Sequence, residues 1–588
     1  MIVTDWGGNN NRVEALKCGS DLEMPSTNGE TNREIIKAVK DGIIDESLVD
    51  ESVERILTNH ELTKDAFEKH LPFEPDESLK VARMAAEESI VLLKNENVLP
   101  LDKTKKICVI GDFASKPRYQ GAGSSQVNAH HVVSLLDAIK EDKDFKLVGY
   151  ESGYKRFGKK SKSLIKKALK LAQKSEIIVL ALGLDECAEC EGIDRKHIKI
   201  RQNQIDLLNA LATLNKPIIG LMYAGAAVEL GFDEKLNALL QCSLLGEQGG
   251  YAALDILTGK VNPSGKLAET YPLNYEDVST ANNFPGLNRK VVYKEGPYIG
   301  YRYFDKQETK PKYCFGFGLS YTSFKYSDLE INDDGVKFKI TNTGTVDGKE
   351  TAMMFVSINE SKTYRVKKEL KGFKKVFLKA NETKEVEIKF DEFTFRTFDV
   401  KKNRFIIETG DYNITIARNA NDLELTGTIH KDGEEVETLV SKEDIPHLYD
   451  GNVKEITPEE KEKIFFGTKI KEHEAKSGKL VVDYNTTVLE LKHARGWFGR
   501  AFAGALVFAY NLLNFFGKRM LANTLEMGMF HSPMRNIARM SGGMLSMGEL
   551  DGMIMMFNGH FHKGLGKFFK ARKAAKKLAK ENKKNNSK

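Results

Sequence analysis

SEIIVLALGLDECAECEGIDR, residues 175–195, is the stretch on which the reading of this chain turns. From Ile177 to Leu184 it runs apolar without alternation. A strand with one wet face alternates polar and apolar residues, whereas one buried on both faces does not. The apolar run then breaks into a loop carrying Asp185, Glu186, Glu189, Glu191 and Asp194, with Arg195 and Lys196 behind them. A buried strand that delivers a charged loop is the unit of a mostly parallel sheet covered on both faces.

Neighbouring segments repeat the pattern. KKICVIGDF (105–113), FKLVGYE (145–151), PIIGLMYAG (217–225) and ALLQCSLLG (238–246) are strand candidates. KSLIKKALKLAQK (162–174) between them has apolar residues at helical spacing. Residues 83–280 therefore read as an α/β sandwich domain.

Upstream, MIVTDWGGNNNRVEALKCGSDLEMP (1–25) and the helices after it read strand, helix, strand, helix. The last of these helices starts near Asp45 or Ser47, either of which can cap it. Residues 1–62 are thus two βα units of a doubly wound sheet or a (β/α)₈ barrel. A charged connector spans 63–82, and a helix is predicted over Lys80–Leu93. A connector at 281–320 follows the α/β domain. From Tyr321 the period changes to two, with Asp-Gly and Asn-Thr-Gly turns, so 321–432 reads as a β-sandwich of about seven short strands. Residues 433–490 are a polar extension. Residues 491–588 are helical, methionine-rich and basic at the end. The fold class is multidomain α/β plus β: a partial barrel remnant, an α/β sandwich, a β-sandwich and a C-terminal helical extension.

Composition excludes several classes. Hydrophobic residues make up 41% of the 588 and charged residues 29%, as in globular proteins. The net charge of +6 is confined to the tail: eleven Lys/Arg against one Glu from Lys563 onward leave the rest mildly acidic. Positive charge on a frayed tail rather than a folded face argues against nucleic acid. Six scattered cysteines are no disulfide framework and fit reduced thiols in a cytoplasmic protein. Cys187-Ala-Glu-Cys190 has metal or redox spacing but no second pair, and His560 and His562 have no carboxylate or thiol near them in sequence. The apolar run 501–516 falls short of the roughly 20 residues of a membrane span and reads as a buried or interfacial helix.

Three segments have the residue types for chemistry. Asp5 stands at a strand's C-terminal end, where barrel enzymes hold catalytic groups, with Trp6 able to wall a sugar face; the alternative is that Asp5 caps the helix at NRVEAL. In the acidic loop, crowded carboxylates raise one another's pKa, as a general acid requires; the alternative is a charged surface loop. QGAGSSQ (120–126) is a Gly-rich loop able to approach a ligand closely. It matches no phosphate fingerprint, and neither α/β region has the G-x-G-x-x-G of a dinucleotide-binding oxidoreductase.

In this order the segments resemble β-glucosidase-like members of glycoside hydrolase family 3, from Met1 to about residue 430. The motifs are Thr4-Asp5-Trp6, GSDLEMP, ARMAAEESIVLLKNENVLPL, Gly121-Ala122-Gly123-Ser124, Glu191-Gly192-Ile193-Asp194-Arg195, LLGEQGGYAALDILTGKVNPSGKLAETYP and YCFGFGLSYTSF. The resemblance implies a fibronectin-III-like sandwich and a retaining hydrolase of terminal β-D-glucosyl or β-xylosyl residues. Asp5 is then the nucleophile and Glu191 the acid/base, with Glu186 and Glu189 as rivals if the loop register slips. Trp6 and Ser124 contact the sugar, while Asp194 and Arg195 order the loop. No cofactor is implied. The glucosidase-type loop argues against the hexosaminidase branch.

A whole barrel takes about 250 residues, so the chain resembles a C-terminal portion, weak or inactive alone. The implied partners are a β-linked glucoside or oligosaccharide, a separately encoded N-terminal barrel half, and a second copy or a membrane surface at 491–588. The alternative function is a non-catalytic carbohydrate-binding or assembly fragment.

Overall fold

The computed structural model describes residues 1–69, 74–281, 283–284, 291–465, 467 and 478–585, with side chains to residue 577. Two units emerge from the packing. One holds Pro75–Cys190 and Asp194–Glu472; the other holds Met1–Glu74, Glu191–Ile193 and His473–Lys588.

The larger unit is built on a six-stranded sheet: β1 (Val91–Asn95), β2 (Lys106–Ile110), β3 (Lys146–Glu151), β4 (Ile177–Gly183), β5 (Ile218–Tyr223) and β6 (Ala238–Gln241), in the order β1-β6-β5-β4-β2-β3. All pairs are parallel except β1 with β6. Every residue of β4, β5 and β6 is buried, as their unbroken apolar runs demand. Helices such as Lys162–Ala172 and Gln202–Ala212 present leucine and alanine to the same core. At the end of β2 the chain passes so close to β4 that a Cβ on Gly111 (φ +117°) would lie 2.2 Å from the Ala181 carbonyl oxygen.

One element differs from expectation. The helix predicted over Lys80–Leu93 is Pro75–Ser89, and the next residues form the edge strand β1. Ile90–Leu93 are four consecutive apolar residues, compatible with either period. Pairing of Val91 with Gln241 and Asn95 with Ala238, about 145 residues away in sequence, decides for strand.

The β-sandwich consists of β7 (Phe324–Ile331), β8 (Gly335–Asn342), β9 (Gly348–Ile358), β10 (Glu369–Leu378), β11 (Thr383–Lys389), β12 (Arg396–Asp399), β13 (Arg404–Ile407), β14 (Gly410–Ala417) and β15 (Leu423–Lys431). Seven of these form facing sheets β10-β9-β14-β15 and β11-β8-β7, and β12-β13 is a separate hairpin. Alternation puts Phe338, Ile340, Met354, Tyr412 and Ile414 between the sheets. The polar stretch after β15 is folded too. Helix Pro458–Ile464 has a capping box of Thr457 and Glu460, and Ile445, Leu448, Val453 and Ile456 share a core with Tyr298, Tyr303 and Phe304 of the preceding connector.

In the smaller unit, the strand expected at Ile2–Asp5 is reduced to a single parallel bridge, Val3 to Leu22. Two segments alone give no sheet interior, so side chains take over. Buried Arg12 donates to the carbonyls of Ser20 and Asp21 at 2.9 Å each, and the Asp21 carboxylate accepts from the Ile2 N–H at 2.7 Å and Arg55 at 2.9 Å. Burial pushes the Asp21 carboxyl up, but the Ile2 N–H, Ser52 and Arg55 together pull it further down, so it lies below the ordinary aspartate value. A depressed folded pKa contributes stability that is present above the unfolded value and lost as pH falls through the folded one. Acid unfolding of this unit is therefore expected to shift to higher pH in Arg55→Met, read by tryptophan emission; an unshifted acid limb would show that Asp21 is not the group.

Helices Glu30–Lys40 and Ser47–Glu68 enclose a small core of Leu16, Ala38 and Ile44. The second runs past residue 62 into the expected connector, with Asp45 accepting the Ser47 N–H at 2.9 Å. In the C-terminal region, helices Trp497–Phe515, Met534–Arg539, Met547–Phe557 and Phe561–Asn585 surround Leu491, Ala503, Met534, Leu550 and Phe557. Met547–Phe557 and Phe561–Asn585 form a hairpin closed at glycines: a Cβ on Gly552 would meet the Gly564 carbonyl oxygen at 2.7 Å.

The same region packs on the βα remnant within this unit. Arg539 donates to the Asn9 carbonyl at 3.0 Å and lies 3.5 Å from Glu34 and 3.9 Å from Glu23. The Met547 N–H donates to Glu30 at 3.0 Å. Gly7, two residues beyond Asp5, sits against Met540.

Candidate active site

The loop after β4 separates its carboxylates by partner. Asp185 is fully buried, held by Arg201 through Nε and through Nη2 at 2.9 Å, and it caps the turn by accepting from the N–H groups of Cys187 and Ala188. Glu186 pairs with Arg156 at 2.7 Å. Glu189 pairs with Arg118, itself 2% exposed, at 2.5 Å, and accepts the Gly225 N–H at 3.1 Å. Arg118 also donates to the carbonyls of Leu184 and Glu189, fastening the start of the loop. The two rival glutamates are thus committed to ion pairs inside the α/β unit.

Glu191 is exposed at the tip of this loop and is counted, with Gly192 and Ile193, in the smaller unit. Gly192 (φ +72°) lies against Met527. Asp194 is exposed, and Arg195 donates to the Ala227 carbonyl at 3.3 Å, with burial drawing its pKa below the ordinary arginine value. The side chains of Cys187 and Cys190 are half-buried.

Asp5 and Trp6 are together: the Asp5 carboxylate accepts the Trp6 N–H at 2.6 Å. Asp5 does not cap the following helix, because Asn11 takes that place, accepting from Val13 and Glu14. Asp5 is left exposed, and Trp6 presents an indole that is 58% exposed. Asp5, Trp6 and Glu191 belong to one unit and Ser124 to the other.

Ser124 is exposed in the Gly-rich loop. The loop is clasped at its base by Gln120, which accepts from the Val127 N–H at 2.9 Å and donates to its carbonyl at 3.2 Å. Its exit is held by Glu247 of the GEQGG motif, which accepts from the N–H groups of His130 at 2.6 Å and His131 at 3.2 Å. Arg118 and Glu247 therefore position both candidate loops. Sequence reading missed Arg118 outright and quoted Glu247 only inside a motif, since each acts on residues far away in the chain. Glu247→Gln is expected to cost about 1–2 kcal/mol and to speed proteolytic cleavage within 120–131; unchanged cleavage would show the loop is held otherwise.

An α/β sandwich and a β-sandwich in series, with a Gly-rich and an acidic loop following strands of one sheet, define the class. Residues 90–321 match the glycosyl hydrolase family 3 C-terminal domain, and residues 350–420 match a fibronectin type III-like domain. Thermostable beta-glucosidase B of Acetivibrio thermocellus is 38% identical over 440 residues, covering 73% of this chain and 58% of that protein. The exo-alpha-(1->6)-L-arabinopyranosidase of Bifidobacterium breve is 34% identical over 452 residues, covering 74% and 59%. The crystal structure of a family 3 beta-glucosidase from Bifidobacterium adolescentis superposes with a TM-score of 0.71 at 35% identity, covering 74% of this chain and 65% of that one. The chain carries the C-terminal domain of glycoside hydrolase family 3 followed by a fibronectin type III-like domain, and its relatives are family 3 beta-glucosidases and similar enzymes. It spans roughly three-fifths of the length of the two relatives named.

Proposed function

We propose that this chain is the C-terminal portion of a retaining glycoside hydrolase acting on terminal β-D-glucosyl or β-xylosyl residues. Asp5 attacks the anomeric carbon, and Glu191 protonates the leaving oxygen and then activates water. Trp6 stacks on the sugar, and Ser124 bonds a hydroxyl. A retaining mechanism needs one ionised carboxylate and one protonated carboxyl about 5–5.5 Å apart. Chemistry of this kind calls on no cofactor.

One observation carries the assignment of the acid/base. Glu191 lies in the unit that holds Asp5 and Trp6, whereas Glu186 and Glu189 lie in the α/β unit with Arg156 and Arg118. The relatives support the reaction class, and the arabinopyranosidase among them keeps the sugar itself to be determined.

The test pairs this chain with the N-terminal barrel portion of a relative and measures hydrolysis of a panel of aryl glycosides. Turnover is expected with the pair and little with the chain alone. Robust turnover by the single chain would refute its dependence on the barrel portion. Sugar binding without turnover, by a pair that assembles fully, would favour a carbohydrate-binding or assembly role.

A further inference from the structure

Helix Trp497–Phe515 is apolar on both sides. Phe498, Phe502, Ala503 and Leu506 face the C-terminal core. The opposite stripe faces solvent: Trp497 is 58% exposed, Phe508 68%, Leu512 43% and Phe515 83%. Ala501 and Ala505, also exposed, fill the stripe between them at helical spacing. Phe516 and Leu521, 66% and 58% exposed, continue it past the helix end. Isolated exposed apolar residues are ordinary, but a contiguous stripe of this length marks a surface that another phase or molecule covers.

Along the chain, the charges next to this stripe have one sign. Between Glu490 and Glu526 there is no carboxylate, while Lys492, Arg495, Lys518 and Arg519 flank the helix and Arg500 stands in its first turn. Helix Phe561–Asn585 begins beside it, with the Phe561 and Trp497 rings 5.4 Å apart, and exposes Lys563, Lys570, Lys573, Lys576 and Lys577. A second copy docking stripe to stripe would bring two acid-free basic rims together. An anionic bilayer would instead take aromatic rings at headgroup depth and neutralise the rim. No described helix is long and apolar enough to cross a membrane, so the fitting geometry is a helix lying in the interface.

We infer that the Trp497–Phe515 stripe docks this chain on the surface of an anionic lipid bilayer, with the neighbouring lysines supplying the electrostatic attraction. The full chain is to be floated with phosphatidylcholine vesicles, with and without phosphatidylglycerol, at low and high salt. About tenfold or more recovery with the phosphatidylglycerol vesicles is expected, falling with salt. The Phe508→Glu/Phe515→Glu variant, both positions being exposed, is expected to lose flotation and keep its far-ultraviolet circular dichroism. Equal recovery with both vesicle types, or flotation retained by the variant, overturns the inference. So does a wild-type dimer that this variant converts to monomer, which would assign the stripe to a second copy. A measurement on the unsubstituted stripe covers the case of a variant that misfolds. In a Trp6→Phe chain, Trp497 emission should shift to the blue and be quenched by brominated lipid in phosphatidylglycerol vesicles; unchanged emission overturns the inference.

Discussion

In the chain paired with a family barrel portion, Asp5→Asn is expected to lower hydrolysis of an aryl β-glucoside about a thousandfold or more. The substitution is nearly isosteric, and the amide oxygen can still accept the Trp6 N–H that Asp5 holds at 2.6 Å. On the proposed mechanism, what it removes is the carboxylate nucleophile that would form the glycosyl ester. Glu191→Gln should behave differently. It slows glycosides with poor leaving groups severely and those with activated leaving groups far less, because only the former need a proton in the first step. Azide, which needs no general base, should restore deglycosylation in that variant. Glu189→Gln should instead lower the melting temperature without a leaving-group signature, since its carboxylate is spent on buried Arg118. Activity surviving Asp5→Asn would sink the nucleophile assignment. A leaving-group signature in Glu189→Gln would move the acid/base role to that residue.

Legibility in the sequence followed the range of the interactions. β4 and β5 were readable because burial on both faces leaves an unbroken apolar run in the local sequence. The sandwich was readable because period two and Gly-containing turns are local too; about seven strands were expected, and the region holds nine, seven of them in its two main sheets. β1 was read as helix because its identity is fixed by β6. Whether Asp5 capped the next helix could not be decided from its neighbourhood, where Asn11 offers an equivalent oxygen nearer the helix and takes the role. The rivalry among Glu186, Glu189 and Glu191 was equally undecidable locally. Glu186 and Glu189 pair with arginines at positions 156 and 118, which no spacing rule connects to the loop.

The second large effect belongs to Arg539. Family motifs stop near residue 430, which makes the C-terminal helices look dispensable, yet this guanidinium is 9% exposed and is bound by the βα remnant at the other end of the sequence. Replacing it by methionine keeps the volume and leaves Glu23 and Glu34 facing each other without a counter-charge. Losing one partner of a largely buried ion cluster costs about 3 kcal/mol. Both tryptophans, Trp6 and Trp497, lie in this unit, so their emission during urea unfolding reports its stability rather than that of the α/β and sandwich domains. The sign of the pH dependence separates charge from packing. Burial already pushes the Glu34 carboxyl above the ordinary value while Arg539 pulls it down, so Arg539→Met raises it further. A raised folded pKa means that protonation favours the folded state, and the cost of the substitution should therefore shrink as pH falls through the Glu34 value and be largest above it. A deficit that is the same on both sides of that value would mean that Arg539 acts through its aliphatic stem and its bond to the Asn9 carbonyl, and not as the counter-ion of this carboxylate pair.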